Sequence, residues 1–284
     1  MSASRTAQYV ALYRALETNE STRPPLFRDP FARQFLSRSL DFAVTASRVP
    51  LVRSAIVRYA DRRAPGARTS AIARTAFLDD AVRKGVASGI AQLVILGAGF
   101  DCRAHRMPEL ASVAVYEVDR AETQAVKRAR VATAPNVRYV AVDFLRDSVD
   151  EKLRAAGWDP AKPTFVLWEG VTNYLTEPAV SAVLAWVGTM PPQSSIAFTY
   201  IHRGVLDGSR RFPGSEQMVD NVKRMGEPWT FGIEPSELVA FVGRAGLEVR
   251  EDVGADEYRA RYLRGDHAGY AFYRICVCGR ATST

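Results

Sequence analysis

A short apolar run followed by two glycines constrains the fold of this chain more than any other feature. Residues 93–96 are four consecutive apolar residues, which is typical of a strand buried on both faces of a parallel sheet. Gly97 and Gly99 come directly after them. Because glycine has no Cβ, the backbone can turn sharply there and approach a ligand closely. The run therefore predicts the first strand and the ligand loop of a nucleotide-binding α/β sheet.

Two carboxylates follow this loop at the spacing of a ribose-binding residue. Glu117 comes 20 residues after Gly97, and Asp119 comes 20 residues after Gly99, both at the end of a second predicted strand. A carboxylate at the tip of the neighbouring strand can accept hydrogen bonds from a ribose diol. A nicotinamide fingerprint would place a third glycine where Cys102 stands. The loop therefore favours a different adenosine cofactor over a dinucleotide.

Length and composition bound the class of protein. The chain has 284 residues, of which 47% are hydrophobic, and this suits one large domain with an extension. It has no apolar run of the roughly 18 residues that a membrane helix needs, and its first residues lack the apolar core of a signal peptide. We therefore expect a cytoplasmic protein without a membrane partner, in which Cys102, Cys276 and Cys278 are reduced.

The charge and the histidine content bear on whether the chain binds nucleic acid or a metal. The formal net charge is +7, but no block of five like charges occurs, so nucleic-acid binding is not expected. A basic mouth that attracts an acidic small-molecule substrate fits the charge better. The three histidines, His105, His202 and His267, do not stand at metal-ligand spacing, so no metal site is predicted. The oligomeric state is left open.

The chain divides into a helical first part and an alternating second part. Residues 1–85 predict an N-terminal helical lid or extension, in which Asp29 caps a helix that starts at Pro30 and ends near residue 40. Residues 86–284 alternate strands with helices, which predicts a doubly wound, mostly parallel sheet. A loop-rich insertion is expected at about 202–233. The seven strands are expected at 92–96, 113–118, 137–142, 164–168, 194–201, 247–253 and 270–278, and the remaining helices at 4–18, 50–62, 69–84 and 234–244.

The ends of the later strands supply further site candidates, because ligands of such sheets bind at the carboxyl ends of the strands. Asp143 stands beside apolar Phe144, which suits an adenine pocket with a carboxylate for the amino edge and a ring against the base. Glu169 follows the fourth strand. The fifth strand ends with the candidate catalytic residues Tyr200, His202 and Arg203.

These strand ends together resemble the leucine carboxyl methyltransferase family. The segments that carry the likeness are Leu-Gly-Ala-Gly-Phe-Asp-Cys-Arg at 96–103, Tyr-Glu-Val-Asp at 116–119, Val-Asp-Phe at 142–144 and Trp-Glu-Gly-Val-Thr-Asn-Tyr-Leu at 168–175. The likeness also includes residues 14–17, 27–32, 73–75 and 157–160, so it spans most of residues 5–185. It implies a Rossmann-like class I methyltransferase fold, S-adenosylmethionine as the cofactor and methyl transfer to oxygen.

The resemblance also implies roles for individual residues. Arg74 would clamp the methionine carboxylate, a task that suits a planar guanidinium. Glu169 would lie beside the methionine amino group or the sulfonium. The chain departs from the family pattern at Cys102 and at Trp168, and the larger Trp168 could reshape the pocket. The remaining cofactor residues would be Gly97 under the methionine part, Asp119 at the ribose hydroxyls, and Asp143 with Phe144 around the adenine.

The methyl acceptor is the least constrained part of this prediction. A carboxylate acceptor is already ionised at pH 7 and needs no base, whereas a phenol or alcohol would be helped by one. His202 is the only histidine at a strand end, so it is a candidate base or substrate-binding residue. The resemblance implies an O-methyltransferase that acts on a carboxylate or hydroxyl of a small acidic or aromatic, polyketide-like secondary metabolite.

Three other functions stay open at this point. The family's name points to a protein C-terminal carboxylate as the substrate. A non-catalytic S-adenosylmethionine-binding accessory protein would keep the same cofactor residues. A nicotinamide oxidoreductase is disfavoured by Cys102.

Overall fold

A seven-stranded sheet forms the centre of the computed structural model, which describes residues 5–265 and 269–281. Its strands are β1 Gln92–Leu96, β2 Ala114–Asp119, β3 Val137–Ala141, β4 Thr164–Trp168, β5 Ser195–Ile201, β6 Leu247–Gly254 and β7 Tyr273–Arg280. The order across the sheet is β3-β2-β1-β4-β5-β7-β6. Strands β1 to β5 are parallel, and β7 runs antiparallel between β5 and β6. The predicted α/β class and its mostly parallel seven-stranded sheet are confirmed.

Helices fill most connections between the strands. Some begin at a side-chain cap, as at Ser148, whose Oγ accepts a hydrogen bond from the Glu151 N–H. In the described residues the α-helices are α1 Arg5–Thr18, α2 Arg38–Ala46, α3 Pro50–Arg63, α4 Ala67–Ala87, α5 Arg103–Arg106, α6 Ala121–Arg128, α7 Val149–Ala155, α8 Glu177–Gly188, α9 Gly204–Asp207, α10 Ser215–Arg224, α11 Leu238–Gly243 and α12 Ala255–Tyr262.

Apolar layers cover both faces of the sheet. In β1, Leu93 and Ile95 face a core that includes α4 and α12, whereas Val94 and Leu96 face a core that includes α7, α8 and α11. The alternation follows from the two-residue period of a strand. Because both sides of the strand are buried, the whole run is apolar. The sheet is therefore doubly wound, as predicted.

The N-terminal helices join this layered structure through α4. A Cβ added at Gly85 of α4 would lie 2.8 Å from the Phe165 ring of β4, so helix and sheet are in close contact. The predicted single helix from Pro30 to about residue 40 is wrong. Asp29 does cap the turn, since its Oδ1 accepts from the Ala32 N–H at 3.0 Å, but the chain forms a 3₁₀ turn at Ala32–Phe35 and a separate helix α2. The division at residue 85 stays a prediction.

The region at 202–233 holds two helices, α9 and α10, within the predicted loop-rich segment. Val222 of α10 packs in an aromatic cluster with Ile201, Trp229 and Phe272, at the carboxyl end of β5. Across residues 5–265 and 269–281, no helix is both long and apolar enough to cross a membrane, and no acidic, histidine and cysteine side chains gather as a metal site would need. His267 lies outside the described residues.

Candidate cofactor and acceptor site

The glycine loop after β1 makes close contact with the segment after β4. Gly97 has a φ of 64° and Gly99 a φ of 44°, values that L side chains rarely adopt. A Cβ at Gly97 would lie 2.3 Å from Cγ2 of Val171. Only glycine fits there, and the contact brings the loop against the residues that follow Glu169.

Asp119 lies at the tip of β2 and is held by the same loop. Its Oδ2 accepts from the Gly99 N–H at 2.6 Å, and its Oδ1 accepts from the Arg120 N–H at 2.7 Å. Each carboxylate oxygen has a second lone pair that can accept a ribose hydroxyl. Burial raises the pKa of Asp119, while these two N–H groups act against the shift. The position suits the ribose role that was predicted for it.

Glu117 does not join Asp119 at the strand tip. Its side chain is buried, and its Oε2 lies 2.5 Å from Nζ of Lys127. The Lys127 ammonium also donates to the carbonyl oxygen of Asp101. Burial raises the pKa of Glu117, against the pull of Lys127. Glu117 therefore supports the glycine loop from within, and Asp119 alone presents a carboxylate at the tip.

The two candidate adenine residues lie on the next strand end. The Val142 N–H donates to the Asp119 carbonyl at 3.0 Å, which places the end of β3 beside Asp119. Asp143 is half-buried and its Oδ1 accepts from the Leu145 N–H at 3.0 Å. Phe144 is half-buried against the apolar layer of the sheet. The structure thus brings the predicted ribose and adenine residues together.

An ion pair marks the other end of the candidate cofactor site. Nε of Arg74, in the middle of α4, lies 2.8 Å from Oε1 of Glu169, although 95 residues separate them in the chain. Arg103 donates from Nη1 to Oε2 of the same carboxylate at 3.1 Å. Burial opposes the charge on Arg74, yet Glu169 holds the pKa of that guanidinium above its usual value. Buried opposite charges here can bind an amino-acid zwitterion.

A buried chain of ion pairs, which we call the ionic ladder, extends from Glu169 to helix α1. Arg103 bonds Asp79 at 2.8 Å and also bonds Asp101, and Arg106 makes two bonds of 2.7 Å to Asp79. Burial opposes ionisation of Asp101, but Arg103 holds the pKa of that carboxyl well below its usual range. The ladder was not predicted. Its members are Arg14, Asp29, Asp79, Asp101, Arg103, Arg106 and Glu169.

The resemblance included Arg14, Asp29, Asp101 and Arg103 without giving them a role. A signal for the ladder was present, because Asp79 and Asp80 interrupt an apolar stretch of α4. Its partners Arg103 and Arg106 stand 24 and 27 residues away, so spacing alone could not identify them.

Aromatic side chains form the wall next to the ion pair. The Arg74 guanidinium lies 4.9 Å from the centroid of the Tyr273 ring. A Cβ at Gly170 would lie 3.8 Å from the Tyr273 hydroxyl, so β7 contributes this tyrosine directly beside Glu169. Rings of Trp229 and Tyr270 pack on Phe272 at 5.9 and 5.1 Å. Sequence reasoning missed these residues, because aromatic positions in a late strand carry no chemical signature of their own.

The three candidate catalytic residues do not converge on the ion pair. Tyr200 is fully buried, and its hydroxyl lies 3.0 Å from Oδ1 of Asp252 and 3.0 Å from Nε of Arg274. Arg203 is exposed and pairs with Glu237. Each of the two therefore has a partner outside the candidate cofactor site.

His202 is buried at the end of β5. Its Nδ1 accepts from the Gly204 N–H at 3.0 Å, so in the neutral ring Nε2 carries the proton, 3.4 Å from Oε1 of Glu234. Nη1 of Arg210 lies 3.3 Å from the same Nε2, where two N–H groups face each other without a hydrogen bond. Burial lowers the pKa of His202, while Glu234 acts against the shift. The neutral imidazole therefore joins β5 to the segment that leads into α9.

The residues around the glycine loop fit S-adenosylmethionine. Glycines leave room under the methionine part, and Asp119 offers acceptors to the ribose. Arg103 is 1% exposed, and its Nη2 has no hydrogen-bond partner among the described residues, so a buried donor is free for a carboxylate. Glu169 offers a carboxylate to an ammonium or a sulfonium. The set of donors and acceptors matches the cofactor that the resemblance implies.

Comparisons with known proteins agree with this assignment. The family profile described as leucine carboxyl methyltransferase matches residues 7–188. A Frankia alni protein that is named as an S-adenosyl-L-methionine-dependent methyltransferase is 39% identical to this chain. The match covers 72% of this chain and 71% of the Frankia alni protein. A protein of Streptomyces avermitilis with the same class name is 37% identical over 74% of each chain. The crystal structure of a DUF574 family protein from Streptomyces avermitilis shares the fold, with a TM-score of 0.57, 16% identity, and coverage of 96% of this chain and 97% of that one.

Proposed function

Because the chain belongs to the leucine carboxyl methyltransferase family and its cofactor is S-adenosylmethionine, we propose that it transfers a methyl group to oxygen. The acceptor is a carboxylate or hydroxyl of a small acidic or aromatic metabolite. The observation that carries the proposal is the Arg74–Glu169 pair with Tyr273 beside it. It joins a binding site for a charged amino-acid group to an aromatic wall.

We assign each part of the cofactor to a different set of residues. Arg74 and Arg103 bind the methionine carboxylate, and Glu169 binds the ammonium. Asp119 binds the ribose hydroxyls. Asp143 and Phe144 frame the adenine.

Alignment is the main contribution of the protein to the reaction. S-adenosylmethionine supplies a methyl group already activated by its sulfonium. The protein holds the methionine end through Arg74 and Glu169, which fixes the direction from which an acceptor oxygen can approach. The ionic ladder holds Arg103 and Glu169 in turn, so the charged end is rigid before the acceptor arrives.

The geometry supports a positioning role for His202 in place of the base role. The lone pair of Nδ1 is engaged by the Gly204 N–H, and Nε2 carries a proton. A carboxylate acceptor needs no base, and a hydroxyl acceptor would release its proton to water as the methyl group leaves the sulfonium. Tyr200 is no substitute, because burial raises the pKa of its hydroxyl far above neutrality.

Two measurements test the proposed function. Calorimetric titration with S-adenosylhomocysteine should show one-to-one binding, with NADH as the control that does not bind. Transfer of labelled methyl groups from S-adenosylmethionine should then be measured with a panel of small phenols and aromatic acids, and with a peptide that ends in a free carboxylate. We expect transfer to the small acceptors. Binding without transfer to any acceptor would identify an accessory protein, and transfer to the peptide alone would identify a protein carboxyl methyltransferase.

A further inference from the structure

Helix α3 carries apolar side chains on the surface of the protein as well as on its inner side. Leu51 is 83% exposed and Tyr59 is 67% exposed, and their spacing of eight residues places them on one face of the helix. Ile56 and Ala60 turn the other way and pack against the apolar clusters beneath. The helix therefore has two apolar stripes, and only the inner one packs against the described part of the chain.

Arginines accompany the outer apolar residues of α3. Arg58 and Arg62 follow Leu51 by seven and eleven positions, which keeps them on the outer face, and both are exposed. Asp61 is the acidic residue of this helix, and its Oδ2 is already paired with Nη2 of Arg68 at 2.7 Å. The outer face is therefore both apolar and positively charged. We call it the α3 face, and its members are Leu51, Val52, Arg58, Tyr59, Arg62 and Arg63.

Protruding apolar side chains beside arginines fit an anionic membrane surface. In a helix that lies on a membrane, apolar groups enter the boundary between headgroups and acyl chains, and arginine side chains extend to the lipid phosphates. Each arginine near anionic lipid strengthens binding about 5-fold. A second copy of this chain fits the α3 face less well. A two-fold symmetric contact would bring the arginines of both copies together, and like charges repel.

We propose that the α3 face docks the protein on a lipid bilayer that contains anionic headgroups. The expectation of no membrane partner rested on the lack of an apolar run long enough to span a bilayer, and a helix that lies on the surface requires no such run. Docking needs no change of fold, because the outer side chains of α3 are already exposed. The proposal goes beyond methyl transfer and does not depend on the identity of the acceptor.

The test measures co-sedimentation of the full-length protein with vesicles. One kind of vesicle is phosphatidylcholine with about one third phosphatidylglycerol, and the other is phosphatidylcholine alone. We expect binding to the anionic vesicles to be tighter by about 10-fold or more. It should weaken between about 0.1 M and about 1 M salt, because the Debye length falls from about 10 Å to about 3 Å. Equal affinity for both vesicles, or binding to neither, would overturn the proposal.

Charge variants show whether the α3 face carries the binding, since a chain with a net charge of +7 attracts anions over its whole surface. The double variant Arg58→Gln, Arg62→Gln should bind anionic vesicles about 25-fold more weakly, from about 5-fold for each arginine. The double variant Arg244→Gln, Arg250→Gln is the matched control, because both arginines are exposed, lie outside α3 and carry the same total charge. Equal losses of affinity in the two variants would reject the α3 face as the docking surface.

An apolar variant tests insertion into the lipid. Leu51→Ser should weaken binding to anionic vesicles about 5-fold, because a buried leucine side chain is lost from the lipid boundary. Val239→Ser is the matched control, since Val239 is 68% exposed on α11, on the opposite side of the sheet. An unchanged affinity of the Leu51→Ser protein would contradict insertion of the α3 face.

Sedimentation equilibrium without lipid addresses the competing occupant. A dimer that the Leu51→Ser change dissociates, together with no affinity for vesicles, would assign the α3 face to a second copy and overturn the proposal. Each variant should keep the affinity of the unaltered protein for S-adenosylhomocysteine, which shows that it has folded. Failure of the unaltered protein to bind S-adenosylhomocysteine would contradict the proposed function alone, because vesicle binding does not involve the cofactor.

Discussion

The candidate site has two parts that are held together by different forces. One is the proposed cofactor side, around Arg74 and Glu169, and the other is the proposed acceptor side, around Trp229 and Tyr273. On the cofactor side, buried charges meet opposite charges, as in the pairs Arg74–Glu169 and Arg103–Asp79. On the acceptor side, the rings of Trp229, Phe272 and Tyr273 pack in one apolar cluster. A charged cofactor can thus be bound by opposite charges that are already in place, whereas this apolar cluster offers the acceptor mainly packing surface.

The ionic ladder shows how buried charged groups can be held in place before a ligand binds. Removing several charges from water is costly, and buried ion pairs often do little for net stability. The ladder therefore makes more sense as a means of holding a single geometry. It connects Arg14 of α1 and Asp29 to Arg106, and through Asp79 and Arg103 to Glu169. Buried ion pairs thus connect helix α1 to Glu169, which lies at the proposed methionine end of the site.

The largest effect is expected from breaking the ladder at Asp79. In Asp79→Asn, Arg103 and Arg106 lose their shared carboxylate while they stay buried, and we expect the free energy of unfolding to fall by about 3–5 kcal/mol. Urea denaturation measures the change. The adjacent Asp80→Asn is the control, because Asp80 pairs with half-exposed Arg83 and should cost about 1 kcal/mol. Equal losses of unfolding free energy in the two variants would show that the buried ion pairs of the ladder contribute no more to stability than a surface ion pair.

The next largest effect is expected on cofactor affinity. Arg74→Ala removes the proposed clamp on the methionine carboxylate and one of the two guanidinium partners of Glu169, so the dissociation constant for S-adenosylhomocysteine should rise about 100-fold in a calorimetric titration. Arg74→Lys should recover only part of the loss, since lysine lacks the planar fork. Arg68→Ala is the matched control on the same helix, because Arg68 pairs with Asp61 instead. An unchanged affinity of the Arg74→Ala protein would remove Arg74 from the site.

The fold was largely predictable because it depends on local periodicity. Strand β1 at residues 92–96 was predicted to the residue, since a wholly apolar run between glycine-rich and polar segments has few alternatives. Strand β7 begins three residues later than predicted, at Tyr273, whose N–H bonds to the Tyr270 carbonyl in a turn. The aromatic residues before it have high strand propensity, and the turn overrides that preference.

From the residues alone, the candidate site was predictable only where its residues follow strand ends; Arg74, in the middle of α4, came from the family resemblance. Asp119 and Glu169 could be placed by topology, because parallel strands end at one edge of the sheet. Glu117 satisfied the same spacing, but its carboxylate turns to Lys127. Partners from distant elements, such as Tyr273 beside Arg74, come together through tertiary packing, which one sequence does not encode in any spacing.

The smallest predicted effect concerns His202, a buried residue that follows the end of β5. Since burial lowers its pKa, the unfolded chain binds a proton below pH 6.5 more readily than the folded protein does. The contribution to stability is therefore complete above about pH 6.5 and is lost as the pH falls below it. In His202→Asn, Oδ1 can replace Nδ1 as acceptor for the Gly204 N–H without titrating. We expect the free energy of unfolding of this variant to depend less steeply on pH between about pH 7.5 and about pH 5.5 than that of the unaltered protein.

The His202→Asn variant also distinguishes a positioning role of His202 from a role as general base. Urea denaturation at several pH values measures the stability difference, and the titration of His105 cancels because both proteins contain it. Methyl transfer by His202→Asn should stay within a few-fold of the unaltered protein. His202→Gln is the matched contrast, since its oxygen reaches the position of Nε2 and leaves the Gly204 N–H unpaired. A fall of 100-fold or more in both variants, with normal stability, would restore His202 as a general base.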